Sequence, residues 1–580
     1  MANGFGSLYV GASGLQNSQY ALNTTANNLA NVNTKGYVRE QVRFADKSYN
    51  KLRDPRANIN MQQSGLGVSI GDVVHARDIF LDKSFRQESG RKEFYSARYE
   101  TASYVQDLMQ ELHGEQFKES IGDLWQAVQE VSTKMDESVY QNLVFEKADL
   151  FVSRTNALYS DMKSYQSNIN EQIKDDIDRV NEIGDRIYEL NLQIQSVEAA
   201  NIETAMTLRD ERDLLLDELG GYGSVNVKED ATGFTFVDFE STRFIDLNKC
   251  YNVALQEDRD TGFYTPYWPH LSDTGKGQYV KVFHLDEQIS TDLNTDVGGI
   301  KSKLLVRGDT YGTYENMQDQ EAYDKIAGCT MMETEAEIDL LFHSIVTAMN
   351  DIYCPNKAAG SIAGENGIVG TDREGNAVTI TKDTLILDTE NCARGVDMEL
   401  PPRELFTRIG MERYKTVTVT GDDGKQSTYY VYNQEDPDNI DSRYGIGNVR
   451  VNEELRKQIT LMPTYRENGT TDYAMGAKLT AAWDKKEMKL NPYDEEPCAF
   501  EGYYTKMVGK LANEGNTYQT AAEALDNAVE SIDNQRQQAM GVSSDEELTH
   551  MIKFQSAYNA SSRFMTVISE MTELIVTGLI

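Results

Sequence analysis

The sequence predicts a multidomain α+β chain in which terminal helices form a coiled-coil-like pole, a long helical middle follows, and β-rich insertions lie at the far end. Three observations carry this reading. Small and apolar residues recur in alternating steps of three and four at both ends of the chain, which is the spacing of a coiled-coil seam. Isoleucine and valine recur at helical steps from Ile169 to Val197 with charged residues between them, the mark of an amphipathic rod. Residues 221–299 and 357–500 alternate apolar and polar side chains between glycine and aspartate turns, which reads as β structure. At 580 residues the chain is too long for one core and divides into three or four domains.

At the N-terminus Leu8, Leu15, Leu22 and Leu29 recur every seven residues, with Gly11, Ser18, Thr25 and Val32 between them. A helix is expected here, ending at Gly36. Gly6, Gly11 and Gly14 each cost about 1 kcal/mol against alanine in a helix, so this helix needs a partner. The C-terminus supplies one, because Met551, Phe554, Tyr558, Ser561, Met565, Ile568, Thr572, Ile575 and Leu579 follow the same alternation. Ser544 and Glu547 have capping-box spacing, and a helix from there to Thr577 is about 50 Å long.

Between the ends, residues 38–60 are polar and basic, contain Pro55 and read as an extended connector. Residues 65–74 read as a short strand whose glycine spacing does not fit a nucleotide loop. Residues 91–220 are expected to be mainly helical. Within them 207–220 place a charged face over Leu208, Leu215 and Leu219, and the Arg/Asp cluster there reads as solvated i,i+4 ion pairs. Strands are expected at 234–239 and 278–283, a helix through Ile338, Leu341, Ile345, Met349 and Ile352, and a hairpin of 416–420 and 427–432 around a turn at 421–424. Helix resumes near Tyr518 and turns at Gly541. The expected domains are 1–37 with 544–580; 38–220 with 300–356 and 501–543, mainly helical; 221–299, β-rich; and 357–500, a β-rich insertion. The termini meet in such a nested plan.

The net charge of −37 opposes binding to nucleic acid or to an anionic membrane, so neither is expected as a partner. Residues 1–60 carry seven Lys/Arg against three acids, a basic root under an acidic body. The five cysteines are odd in number and widely spaced, which argues against a disulfide framework or a zinc site. Neither a signal peptide nor an apolar run of membrane-spanning length is apparent, and from the residues alone the expected compartment is the cytoplasm.

The six histidines form no metal-binding spacing, and His343 reads as a satisfied core residue. The acidic turns at Asp422-Asp423 and at 435–438 do not match a calcium loop. No catalytic residue, cofactor or metal is expected, and the chain is not expected to be an enzyme. Thirty-two tyrosines suit wet subunit contacts.

The run from Ala26 through Asn27, Asn28, Leu29, Ala30, Asn31, Val32, Asn33, Thr34, Lys35 and Gly36 to Tyr37, followed by Arg39, resembles the N-terminal signature of the flagellar axial proteins of rod, hook and junction. The C-terminal runs 541–547 and 553–561 resemble those members of the family that join hook to filament. Residues 207–220 and 298–305 are similar to further segments of these members. Around Lys134, Met135, Asp136 and Glu137 the family's Asn-Pro turn is absent, and 357–500 matches nothing in it.

The resemblance implies a structural subunit exported by the flagellar type III apparatus without a cleaved signal, and so an extracellular place at the hook–filament junction. It implies as partners further copies of the chain in a ring, the hook protein, a second junction protein adjoining the filament, and a cytoplasmic export chaperone on the C-terminal helix. Carried onto this sequence, Leu8, Leu15, Leu22, Leu29 and Val32 pack against Met551, Phe554, Tyr558, Met565, Ile568 and Ile575. Asn27, Asn28, Asn31 and Asn33 then give register and subunit contacts, since a polar residue in or beside a seam excludes misaligned pairings. The alternatives are another axial subunit of rod or hook, and a flagellum-borne adhesin acting through 357–500.

Overall fold

The computed structural model describes residues 2–34, 36–47, 50–53, 61–64, 66–75, 77–110, 117–199, 204–363, 367–421 and 425–578. The chain opens with helix α1 (Ala2–Ala30) and then runs out and back through an arm of four strands, β1 (Glu40–Asp46), β2 (Asn50–Arg53), β3 (Met61–Ser64) and β4 (Val68–His75). β1 pairs antiparallel with β4, and β2 with β3. The arm stands where a connector was expected. From Arg43 to Asp46 both faces of β1 are exposed, so only Glu40 to Arg43 show the alternating burial that marks a half-buried strand. Pro55 lies outside the described residues.

Helices α2 (Ile79–Gln110), α3 (Phe117–Thr133), α4 (Ser138–Glu198) and α5 (Met206–Tyr222) follow. The break between α3 and α4 forms without proline. Met135 is buried in the link, and its carbonyl accepts from Gln141 Nε2 at 2.7 Å. At 61 residues α4 is about 90 Å long and is the spine of the molecule. Its residues Ile169, Ile173, Ile177, Val180, Ile183, Ile187, Leu190 and Ile194 are all buried, while Val197 at the end of the rod is exposed.

Strands β5 (Val225–Glu229), β6 (Thr235–Phe239) and β7 (Thr242–Ile245) make a meander, and β8 (Ala254–Glu257) with β9 (Tyr264–Tyr267) a hairpin. Residues 278–283 form no strand, contrary to expectation. They meet β9 through a single bridge, Tyr267 to Lys281, because neighbouring Pro266 has no N–H to extend a ladder. Val282 and Phe283 are buried instead.

Helices α6 (Gly299–Arg307), α7 (Gln320–Asp324) and α8 (Thr330–Tyr353) lead into the insertion. There β10 (Asn356–Ala358), β11 (Ile368–Asp372), β12 (Ala377–Ile380), β13 (Leu385–Leu387), β14 (Phe406–Arg408), β15 (Tyr414–Thr420), β16 (Gln426–Tyr432) and β17 (Val449–Val451) appear in order. Six of these form a sheet in the order β10-β13-β16-β15-β11-β12, and β14 pairs with β17. β15 and β16 are a hairpin in register from Tyr414–Tyr432 to Thr420–Gln426; residues 422–424 of its turn lie outside the described residues. Helices α9 (Glu453–Lys457), α10 (Tyr473–Asp484), α11 (Phe500–Met540) and α12 (Ser544–Thr577) complete the chain.

Burial falls into three clusters. One joins α3, the first half of α4, α8, α10 and the start of α11. A second joins the rest of the α4 rod to α5, α6 and the strands from β6 to β9, and a small third lies on the six-stranded sheet. α11 runs antiparallel along α2, as the contacts Tyr504 to Met109, Arg98 to Tyr518 and Arg536 to Asp82 show. No residue of α1 or α12 belongs to any of the three clusters. The pole is therefore held by something other than the body's apolar cores. Among the described residues no helix is long and apolar enough to cross a membrane.

Candidate assembly interface

α1 and α12 lie antiparallel. A Cβ added at Gly11 would stand 2.8 Å from Met565 Sδ, and one at Gly14 would stand 2.7 Å from Ser561 Oγ. Further along, Asn28 Nδ2 donates to Glu547 Oε2 at 3.2 Å. The buried positions of α1 include Gly11, Ser18, Ala21, Thr25 and Asn28, so small residues receive the larger ones of α12. Helix separation depends on the side chains at the contact, and glycine brings these two helices close.

Each residue expected in the interface can be placed. Leu8, Leu15, Leu22 and Leu29 are half-buried beside the small-residue stripe, as are Met551, Phe554, Tyr558, Met565 and Ile568 on α12. Val32 and Ile575 are exposed. Phe554 also meets Phe44 of β1 edge to face, with ring centres 5.9 Å apart. On its other side α1 touches β4, where the backbone N–H of Val68 donates to Ser13 Oγ at 3.3 Å.

The asparagines divide by role. Asn28 is 1% exposed and fully used: its amide also donates to the Glu40 carbonyl, and its Oδ1 accepts from Tyr37 Oη at 2.8 Å and from the Glu40 N–H at 3.1 Å. Asn31 donates from Nδ2 to the Asn27 carbonyl at 3.0 Å, which also accepts the backbone N–H of Asn31 at 3.1 Å, and α1 stops at Ala30 rather than at Gly36. Asn27 and Asn33 are exposed. α12 starts one residue earlier than its capping-box spacing implies. The N-cap is Ser543, whose hydroxyl accepts from the N–H of Glu546. Glu547 is thereby free to turn inward and take Arg39 Nε at 2.7 Å.

The pole is joined to the body by polar contacts. The Val38 N–H donates to Asp210 Oδ2 at 3.1 Å, and the Arg39 N–H to the Met540 carbonyl at 2.9 Å. Burial pushes the Asp210 carboxyl up to about 7 against the opposing pull of the Val38 N–H. Beyond this joint a cleft of about 1150 Å³ opens between residues 31–34 and 36–39, α5 and the end of α11.

Its floor carries the Arg/Asp cluster, and here the expectation of solvated i,i+4 pairs fails. Arg536 Nε meets Asp82 at 2.9 Å and its other arm meets Asp217 at 2.6 Å; Arg86 meets Asp217 at 2.7 Å and Asp213 at 3.6 Å; Arg77 pairs with Asp82 and Asp213. Three arginines and three aspartates thus alternate in a closed ring that ties α2, α5 and α11 together. Arg209 pairs with Glu198 and Glu229, and buried Arg212 with Glu229. Leu216, not Leu215, is the buried leucine beside Leu219.

Elsewhere, His343 is half-buried rather than in a core; its Nε2 lies 3.1 Å from Glu435 and its ring stacks on Tyr314 at 4.0 Å. His113 lies outside the described residues. Among the described residues no group of three or more His, Cys, Asp or Glu is disposed to hold a metal ion.

A family model described as "Flagella basal body rod protein" matches residues 8–37, and one described as "Flagellar basal body rod FlgEFG protein C-terminal" matches 533–577. These are the two halves of the pole. A third, "Flagellar hook-associated protein FlgK helical domain", matches 102–324. Flagellar hook-associated protein 1 of Bacillus subtilis is 23% identical over 584 residues, covering 100% of this chain and 99% of the relative. That of Salmonella typhimurium is 23% identical over 244 residues, 40% of this chain and 42% of the relative. Flagellar hook protein FlgE of Borreliella burgdorferi is 38% identical over 82 residues, 13% and 19% of the two chains. A solved structure of the hook junction protein FlgK from Burkholderia pseudomallei covers 79% of this chain and 99% of its own, at 15% identity and a TM-score of 0.45.

The fold and its paired ends define an axial structural protein of the bacterial flagellum. With the helical-domain match over 102–324 and the similarity along its full length to the Bacillus subtilis relative, the chain is similar to flagellar hook-associated protein 1, and these matches support a structural protein of the hook–filament junction.

Proposed function

We propose that copies of this chain close into a ring at the junction through the pole of α1 and α12, with the hook protein on one side and a second junction protein on the other. The observation that carries this is the outer face of α12. Ile552, Val567, Met571, Leu574 and Ile575 are each about half exposed or more in the single chain, a row of apolar side chains that a soluble monomer has no use for. A ring requires heterologous contacts whose rotation closes, and an apolar face distinct from the one turned to α1 is what such a contact needs. Before assembly the other stripe of α12, Met551, Phe554, Tyr558, Met565 and Ile568, is the natural seat of an export chaperone, and the chain leaves the cell through the flagellar export apparatus without a cleaved signal to act outside it. The pole, helical body, 221–299 and the 357–500 insertion are its working units, and it acts as structure rather than as an enzyme.

The test is Val567→Lys together with Leu574→Lys. Both side chains are exposed, so monomer stability is expected to change by no more than about 0.5 kcal/mol. Burying each apolar side chain in the ring is worth roughly 1.5 to 3 kcal/mol, and each lysine adds a desolvation cost. The variant should be exported and folded yet leave hooks without filaments. Normal filaments on cells carrying it would show that this face is not a subunit contact.

A further inference from the structure

α8 begins with four carboxylates at alternate positions, Glu333, Glu335, Glu337 and Asp339, all of them buried. The helix sorts them into two i,i+4 pairs on different faces. Glu333 and Glu337 share a cation, since Lys510 Nζ reaches both of them, with Glu514 nearby. Glu335 and Asp339 have no such partner. Asp339 accepts the N–H of Tyr314 at 2.9 Å and of Ile446 at 2.8 Å, one on each oxygen, and His343 and Arg443 act on it from further off.

Glu335 is 0% exposed. One of its oxygens accepts the Gly312 N–H at 2.7 Å, and the other, Oε1, has no hydrogen-bond partner. Among the described residues no cation lies within ion-pair distance of it. The nearest, Lys163 on α4, is held between two rings, its Nζ 4.4 Å from the centres of both Tyr159 and Tyr311. Those two tyrosines, Lys163, Asp339 and the thiol of Cys329 complete the titratable groups facing Glu335.

Two carboxylates one turn apart in a dry site do not both ionise at ordinary pH. The proton goes to the member whose charge is less well solvated, which is Glu335 with its idle oxygen. We propose that Glu335 is protonated in the folded chain, so that the body folds with uptake of a proton and loses stability as the solution turns alkaline. Burial pushes this carboxyl from 4.5 up to about 8. A group raised in the folded state gives stability that is fully present below its unfolded value and is lost as pH rises through the folded one. The window is therefore from about 4.5 to about 8.

The test uses the full chain and Glu335→Gln, which keeps the shape and cannot ionise. Urea unfolding across the window should show the wild-type folding equilibrium falling by up to tenfold per pH unit for this one linked proton. Glu335→Gln should show a slope shallower by that one proton, and become the more stable protein on the alkaline side. The infrared band of protonated carboxyl at neutral pH should also weaken in the variant. Equal slopes for the two proteins, or a loss in the variant that is the same at every pH, would assign Glu335 a packing role only. Should the variant fail to fold, Glu335→Met takes its place in the same urea series, and a slope equal to that of the wild type would overturn the proposal.

Discussion

Replacing Arg536 with alanine is expected to lower the stability of the body by about 3 to 5 kcal/mol, the usual cost of removing one partner from a buried ion pair. Arg536 is 5% exposed and Asp82 is 4% exposed, so the pair is buried in the folded chain. Arg536 stands at one corner of the closed ring of six charges, between Asp82 and Asp217, and its guanidinium lies 4.2 Å from the centre of the Phe85 ring. Alanine leaves two carboxylates facing an empty corner and unzips the end of α11 from α2 and α5. Arg536→Lys should fall between wild type and alanine, because a lysine is a point charge and does not span both aspartates as the planar fork does. Urea unfolding of the three proteins measures this. A loss under about 1 kcal/mol for the alanine variant would class the ring with exposed surface pairs.

The second large effect is expected at the seam. Gly11→Leu combined with Gly14→Leu places side chains where Met565 and Ser561 already stand, so α1 and α12 must separate. Helix propensity alone predicts the opposite, since each glycine replaced by leucine favours an isolated helix by nearly 1 kcal/mol. The two effects differ in sign, and Gly6 separates them, because a Cβ there meets nothing within 4 Å. Gly6→Leu should leave the pole intact or strengthen it. The Gly11/Gly14 double variant should make α1 and α12 sensitive to protease while the three apolar cores stay resistant, and hooks should remain bare. Protection of both helices in that double variant would mean that the glycines do not set their spacing.

What the sequence made legible was repetition along one element. The rod of α4 follows from isoleucine and valine at steps of three and four, and the two terminal helices follow from their matching stripes. The stripe on α1 was legible as a pattern but not as a face. Two interleaved sets repeat there every seven residues, and the one that is fully buried is the small set containing Gly11, Ser18 and Thr25, because packing distance decides between them and spacing does not.

Contacts between distant segments were hidden. The charged ring joins Asp82, Asp213 and Arg536 across hundreds of residues, and local i,i+4 spacing offered a simpler account of the same charges. Glu547 was hidden for a similar reason. Its spacing from Ser544 suits a capping box, yet it is spent on Arg39 and Asn28 at the far end of the chain. The β arm escaped because its first strands are short and set among basic residues and Pro55, which read as a connector. The asparagine run did signal its importance, but only the fold separates Asn28, which is buried and fully hydrogen-bonded, from Asn31, which ends a helix.

Gold labelling of intact flagella, with antibody raised against the insertion of residues 357–500, locates the protein directly. Labelling should fall in one narrow band between hook and filament, and the band should vanish from cells carrying Val567→Lys with Leu574→Lys although the protein is still exported. Gold spread along the hook, or confined to the cell body, would contradict a subunit that closes a ring at the junction through its paired terminal helices.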